Sequence, residues 1–231
     1  MGAMNDLKEI AWRCNLDLQR YNLVVHTFGN ASAIDRAEGH VAIKPSGVPY
    51  AELKASDMVV VDLDNRVVEG KLRPSSDTKT HTLLYKNFPD IGGVVHTHST
   101  HAVAWAQAMK PIPILGTTHA DHVAEDIPCT EVMSDAMIKG DYEIETGNQI
   151  LKVFKKRSYL DTPMVLVACH GPFTWGETPD KAVYHSLMIE ELAKMAYLTL
   201  QINPKVPRLK KSLIEKHYKR KHGPDSYYGQ G

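Results

Sequence analysis

Cysteine is scarce in this chain: three in 231 residues, Cys14, Cys129 and Cys169, with no Cys-x-x-Cys pair. An odd, dispersed set excludes a disulfide framework and a thiolate zinc knot, and it fits a reducing, cytoplasmic setting. Net charge is lacking as well, with 27 Lys plus Arg against 27 Asp plus Glu. No global field therefore draws the molecule to nucleic acid or to an anionic membrane, and neither is expected as a partner. No apolar run approaches the roughly 18 residues that a membrane-spanning helix needs. The segment before Asn15 carries charges throughout instead of the apolar block of a leader. Repeats, low-complexity stretches and linker-like runs are missing too, so residues 1–231 are read as one domain. His-Glu-x-x-His, the helical signature of many zinc hydrolases, does not occur.

What is present suits a folded domain with a well-filled core. Hydrophobic residues make up 43% of the chain, an ordinary share for a globular protein. A chain of this size buries on the order of 70% of its unfolded surface. Apolar spacing predicts helices over Leu7–Leu18, after Ser76-Asp77 as N-cap, over Ala102–Met109 and over Thr146–Lys155. Two more are expected, from Thr178-Pro179-Asp180 to about Leu200 and from Pro207 towards Lys221. Strands are expected at Leu23–Phe28, Val41–Lys44, Met58–Leu63, Ile91–His98, Pro111–Leu115, Ile127–Thr130 and Met164–Ala168. Short strands mixed with helices point to an α/β (layered α+β) domain, with a central, mainly antiparallel or mixed sheet flanked by helices.

The densest chemistry is His96-Thr97-His98, at the end of the apolar run Ile91–Val95. Two residues apart on a strand, two imidazoles share a face and can converge on a divalent cation, most often zinc. The pair alone is also compatible with surface histidines, of which a chain with twelve has many to offer. Asp77 in Ser75-Ser76-Asp77-Thr78 and His170 in Cys169-His170-Gly171-Pro172 add an acidic group and a third imidazole. Together these are enough for a catalytic metal site. Cys169 is read as a buried structural thiol and His101 as solvent-facing or supporting.

Gly29-Asn30, Ser46-Gly47 and Ser75-Ser76 form a second constellation. Hydroxyls and free backbone N–H groups after a strand or before a helix suit a phosphate, and Lys44 adds positive charge. Singly, each is an ordinary turn signal. Asp121, in the polar loop Gly116–His122, is either a general base or a solvated turn carboxylate. Tyr227 and Tyr228 near the C-terminus are unusual for a free tail and are expected to dock, on their own domain or on a neighbouring subunit.

Gly29-Asn30-Ala31-Ser32, Ile43-Lys44-Pro45-Ser46-Gly47, Pro74-Ser75-Ser76-Asp77-Thr78, His96-Thr97-His98, Gly116-Thr117-Thr118-His119-Ala120-Asp121 and His170 through Gly176 resemble the class II aldolase/adducin-head family. The resemblance runs over essentially the full length. It implies one zinc ion per subunit, or another divalent metal, held by His96, His98 and His170 with Asp77 at the fourth, acidic position. It implies that Gly29, Asn30, Lys44, Ser46, Gly47, Ser75 and Ser76 hold a substrate phosphate, with His217 near the same site. Asp121 and Tyr228 match the family's acid/base pair. The tyrosine would be supplied, with the segment 217–231, to a neighbouring subunit of a cytoplasmic homotetramer. Asp77 stands where phosphoketose aldolases of the family carry Glu, which favours an epimerase acting on a phosphorylated ketopentose. The implied reaction inverts C4 by retro-aldol cleavage of C3–C4 and re-addition, interconverting L-ribulose 5-phosphate and D-xylulose 5-phosphate. The competing readings are a sugar-phosphate aldolase of the fuculose- or rhamnulose-1-phosphate type, a non-catalytic interaction module and a zinc hydrolase.

Overall fold

A long amphipathic helix, α1 (Ala3–Arg20), opens the chain in the computed structural model, which describes residues 2–222. Leu7, Ala11, Cys14 and Leu18 recur at three- and four-residue spacing and are buried, the stripe that a helix resting on a sheet requires. The sheet beneath it has seven strands: β1 (Asn30–Asp35), β2 (His40–Ile43), β3 (Val59–Asp62), β4 (Val67–Glu69), β5 (Gly93–His96), β6 (Met164–Val167) and β7 (Gly171–Gly176). They lie in the order β4-β3-β2-β1-β5-β7-β6, and each neighbouring pair is antiparallel. The other helices are α2 (Thr78–Asn87), α3 (Thr100–Gln107), α4 (Thr117–Ala120), α5 (Asp135–Lys139), α6 (Tyr142–Phe154), α7 (Pro179–Ile202) and α8 (Lys211–His222). The chain is thus a layered α/β protein, as the sequence pattern predicts. No helix among the described residues is long and apolar enough to cross a membrane.

Strand side chains alternate between two covered faces. Val41, Val59, Val61, Val165 and Val167 pack with Leu84, Tyr85 and Phe88 of α2 and with Ile150 and Phe154 of α6. On the opposite face Ala33, Ala42 and Val60 meet α1, while Met164 and Leu166 meet α3 and α7. Sheets covered on both sides are built from unbroken apolar runs, which is why β2, β3 and β6 are readable in the sequence.

Three expectations are corrected. Leu23–Phe28 is not a strand: Asn22 and His26 have positive φ, 56° and 57°, so the segment winds as turns while Val25 and Phe28 stay exposed. The strand lies just beyond it, in β1, whose small Ala31 and Ala33 let α1 approach closely and carry little apolar signal of their own. Pro111–Leu115 and Ile127–Thr130 form only the single bridges Ile112–Ile127 and Cys129–Leu166. Cys169 is exposed rather than buried, in a left-handed turn with φ 63°. The segment Gly171–Gly176, anticipated only as a motif, is the interior strand β7, between β5 and the edge strand β6. Its Pro172 sits at the second position, where the strand is only entering the sheet.

Two contacts lock the elements that carry chemistry. Gly93 in β5 faces the backbone of Pro179 at the start of α7, and a Cβ there would collide with it. Arg36, directly after β1, donates from its guanidinium to the carbonyls of Tyr85, Phe88 and Ile91, at 2.8, 2.8 and 2.6 Å. Those carbonyls end α2 and begin the run into β5, so one charged group closes the helix C-terminus and ties it to the sheet. Arg36→Met is expected to lower unfolding free energy by about 2 kcal/mol, the scale of charged hydrogen bonds lost to orphaned carbonyls. The midpoint of a urea titration reads it, and an unchanged midpoint would remove Arg36 from this role.

Candidate metal centre and anion cavity

Histidine delivery follows from the sheet. β5 ends in His96, with its side chain buried, and His98 follows two residues on. The β6–β7 turn brings His170 to the same place, and the three ring nitrogens lie within 4.8 Å of one another. His96 Nδ1 lies 2.9 Å from the Pro172 carbonyl. A carbonyl can only accept, so Nδ1 carries the proton and Nε2 keeps its lone pair. That Nε2 stands 3.0 Å from His98 Nε2, close to the roughly 3.3 Å between two nitrogens of a tetrahedral zinc site. Phe173 stacks on His96 with centroids 4.2 Å apart. Burial, then the neighbouring imidazoles, push His170 down to about 3 and lower His98 as well. Converging imidazole nitrogens, one ring oriented by a backbone carbonyl, form a donor set that fits a divalent cation.

Asp77 lies beside this trio but outside the three-residue ligand group. It directly precedes α2 without a capping hydrogen bond from its side chain, and its Oδ2 accepts from Asn30 Nδ2 at 2.6 Å. Burial alone would raise its carboxyl. His96, His81 and the Asn30 hydrogen bond outweigh that, leaving it below the ordinary carboxylate range. Asn30 faces His96 across the β1–β5 ladder and also donates to Ser75 Oγ at 3.0 Å. Because the carboxylate can only accept, the amide orientation is set. Asn30 Oδ1 is then a buried acceptor without a partner, which suits a hydroxyl arriving in the cavity.

One cavity of about 310 Å³ joins the imidazoles and Asp77 to Gly29, Asn30, Lys44, Ser46, Gly47, Ser75 and Ser76. The structure therefore brings together every residue singled out for the metal and phosphate except His217. Gly29 (φ 81°) is required by close approach as well as by its conformation, since a Cβ would stand 2.9 Å from Val24 Cγ1 and 3.0 Å from the His96 carbonyl. Lys44 is buried with its Nζ 3.4 Å from the Thr27 and Pro45 carbonyls and 4.8 Å from the Tyr50 ring centre. Among the described residues it has no carboxylate partner. Burial lowers its amine to about 8. Phe28, expected in a strand, instead forms part of the rim and stacks against His98 at 5.9 Å.

Asp121 stands elsewhere, at the end of α4. Its carboxylate takes His217 Nδ1 at 3.0 Å and Arg220 Nε and Nη2 at 2.9 and 2.6 Å, all from α8 of the same chain. Burial works to raise it, and the Arg220 and His217 hydrogen bonds with Lys221 hold it below the usual carboxylate range. Neither Asp121 nor His217 lines the metal cavity of its own chain. Tyr228 lies outside the described residues, as do Tyr227 and the rest of segment 223–231. His81, which the sequence reading passed over, is fully buried beneath the site, edge-on to Phe173.

Residues 9–197 match the family described as Class II Aldolase and Adducin N-terminal domain. The chain belongs to that family. It is 52% identical over 227 residues to L-ribulose-5-phosphate 4-epimerase UlaF of Salmonella paratyphi B, covering 98% of this chain and 100% of the relative. Among solved structures it resembles an L-fuculose 1-phosphate aldolase, with 25% identity, a TM-score of 0.79 and coverage of 95% and 99%. It shares its fold with YgbL of Klebsiella pneumoniae, a putative aldolase/epimerase/decarboxylase, at 22% identity, a TM-score of 0.72 and coverage of 94% and 99%. Class II aldolases generally use a divalent metal, and the three-histidine cluster is where this member of the family offers one a site.

Lys44 would make the affinity of this cavity for an anion dependent on pH. Below about 8 its amine is an ammonium ion, and above it the charge is lost. A phosphate group is already dianionic there, its second pKa being about 6. Phosphate affinity is therefore expected to fall as pH rises through about 8, and Lys44→Met to bind more weakly with that limb flattened. Calorimetric titration of inorganic phosphate between pH 7 and 10 measures this, and an unchanged limb in the variant would exclude Lys44.

Proposed function

We propose that the chain is a zinc-dependent L-ribulose-5-phosphate 4-epimerase, a cytoplasmic homotetramer whose active sites lie between subunits. The observation that carries this reading is the shared cavity, whose lining joins three imidazoles beside Asp77 and Asn30 to a buried lysine that has no carboxylate partner among the described residues. The curated epimerase that is 52% identical along the whole length supplies the substrate class. Three free cysteines agree with a reducing compartment.

The chemistry follows from the sugar. In a ketopentose phosphate the C4–H is β to the ketone and not acidic, so direct deprotonation cannot invert that centre. Removing the C4 hydroxyl proton instead lets the C3–C4 pair of electrons pass to C3 and into the ketone system. The products are glycolaldehyde phosphate and the enediolate of dihydroxyacetone. A divalent cation held by His96, His98 and His170 supplies Lewis acidity to the ketone end. Lys44, Asn30 and the hydroxyls and amides of Ser46, Gly47, Ser75, Ser76 and Gly29 retain the phosphate. The aldehyde turns about that anchor, and re-addition to its other face inverts C4. Proton transfer falls to Asp121 and Tyr228. Asp121 is held ionised, the form a proton acceptor requires, and its distance from its own chain's cavity favours service to a neighbouring copy. His217 then keeps Asp121 in place.

A coupled assay on L-ribulose 5-phosphate tests the reaction. Conversion to D-xylulose 5-phosphate is expected, with chelator cutting the rate at least about 100-fold and zinc restoring it. Undiminished turnover in metal-free protein would end the metal reading, and accumulation of free aldehyde would favour an aldolase.

Subunit complementation tests the shared site. Asp121→Asn and His98→Asn should each be nearly inactive as pure proteins. Co-expressed, they should regain about a quarter of wild-type activity, the fraction of sites in a ring that escape both lesions. Mixtures as inactive as their parents would confine Asp121 to some other role.

A further inference from the structure

α2 and β1 meet through a ladder of polar contacts rather than through apolar packing alone. Asp77, His81 and Tyr85 recur every four residues along one face of α2, and Asn30 and Ser32 every two residues along β1. Four helical residues rise about 6 Å and two strand residues about 6.7 Å, so the two sets stay in step. Asp77 Oδ2 meets Asn30 Nδ2 at 2.6 Å, and His81 Nδ1 meets Ser32 Oγ at 2.8 Å. Tyr85 Oη lies 2.9 Å from Ser32 Oγ and donates to the Ser32 carbonyl at 3.1 Å. His81 is 0% exposed and its Nε2 has no partner. Among the described residues Ser32 is therefore the only polar anchor of that ring, and a buried imidazole stripped of it would be left without a hydrogen bond. The other side of the same ring meets Phe173 edge-on at 6.1 Å, and Phe173 stacks on His96.

We propose that His81 is a positioning residue for the metal centre: anchored on Ser32, it sets the register of α2 against β1 and so holds the Asp77 carboxylate on Asn30 beside the three imidazoles. Burial pushes the ring down to about 3, so at neutral pH its part in holding Asp77 is its hydrogen bond to Ser32 and its shape. Its action reaches the site through Asp77, whose negative charge favours a cation among His96, His98 and His170. This rests on the metal reading above but not on the reaction assigned to it.

The test is zinc affinity, measured by competition with a chromogenic chelator on the full-length protein. Ser32→Ala and His81→Leu are each expected to weaken zinc about 10-fold, the lower end of the range for outer partners of metal ligands. In an Asp77→Asn background, the same substitutions should cost less than about 2-fold, because the group they position is already neutral. Unchanged affinity in both single variants overturns the proposal. So does an equal loss with and without Asp77, since a general loosening of the fold would act independently of that carboxylate. If His81→Leu does not fold, Ser32→Ala in the two backgrounds decides alone. Wild-type protein that binds no zinc would overturn the metal centre and this proposal together, whereas zinc binding without epimerase turnover would count against the assigned reaction only.

Discussion

Asn30, His96 and Phe173 occupy one row of the sheet, paired side by side across β1, β5 and β7, and the site depends on that row. A slip of one residue in either pairing would send His96 to the opposite face, because strand side chains alternate with period two. In register, the row places a metal-type donor between an amide that grips Asp77 and an aromatic ring that fixes the imidazole plane. The entry of β7 then offers the Pro172 carbonyl to His96 Nδ1, which decides the tautomer and with it the direction of the lone pair. Sheet register, side-chain orientation and ligand chemistry are thus successive consequences of one pairing.

Much of this arrangement is readable before any coordinates. His96, His98 and His170 stand out because each comes at or just beyond the end of an apolar run that reads as a buried strand. The phosphate residues stand out because small polar dipeptides at strand ends expose backbone amides. The missed features share a different physics. β1 was hidden by alanines, whose value lies in the room they leave for α1 and not in hydrophobicity of their own. β7 was hidden by Gly171 and Pro172, residues that ordinarily argue against a central strand. His81 and Tyr85 read as the polar side of an amphipathic helix, and only their spacing against Asn30 and Ser32 separates a buried ladder from a solvated face. The Asp121–Arg220 pair links residues 99 positions apart, a distance over which local pattern carries no information.

Electrostatics divides the cavity into two unlike ends, and each is arranged for a partner of opposite character. At the Lys44 end a buried lysine has lost its water without gaining a carboxylate among the described residues, and burial depresses its amine to about 8. Binding a dianion would restore the pairing and raise that value again. At the other end burial and the neighbouring rings lower His170 and His98, while the Asp77 carboxyl is held below the ordinary carboxylate range. A cation placed there gains an anionic neighbour and three imidazole nitrogens that already converge. Neither end is well satisfied on its own. The molecule that suits both carries a phosphate at one terminus and electron-rich oxygens at the other, joined by a chain short enough for a cavity of about 310 Å³. A pentulose 5-phosphate has that shape. In the proposed reaction its C3–C4 bond would lie between the two grips, so that cleavage would leave both halves held for re-addition.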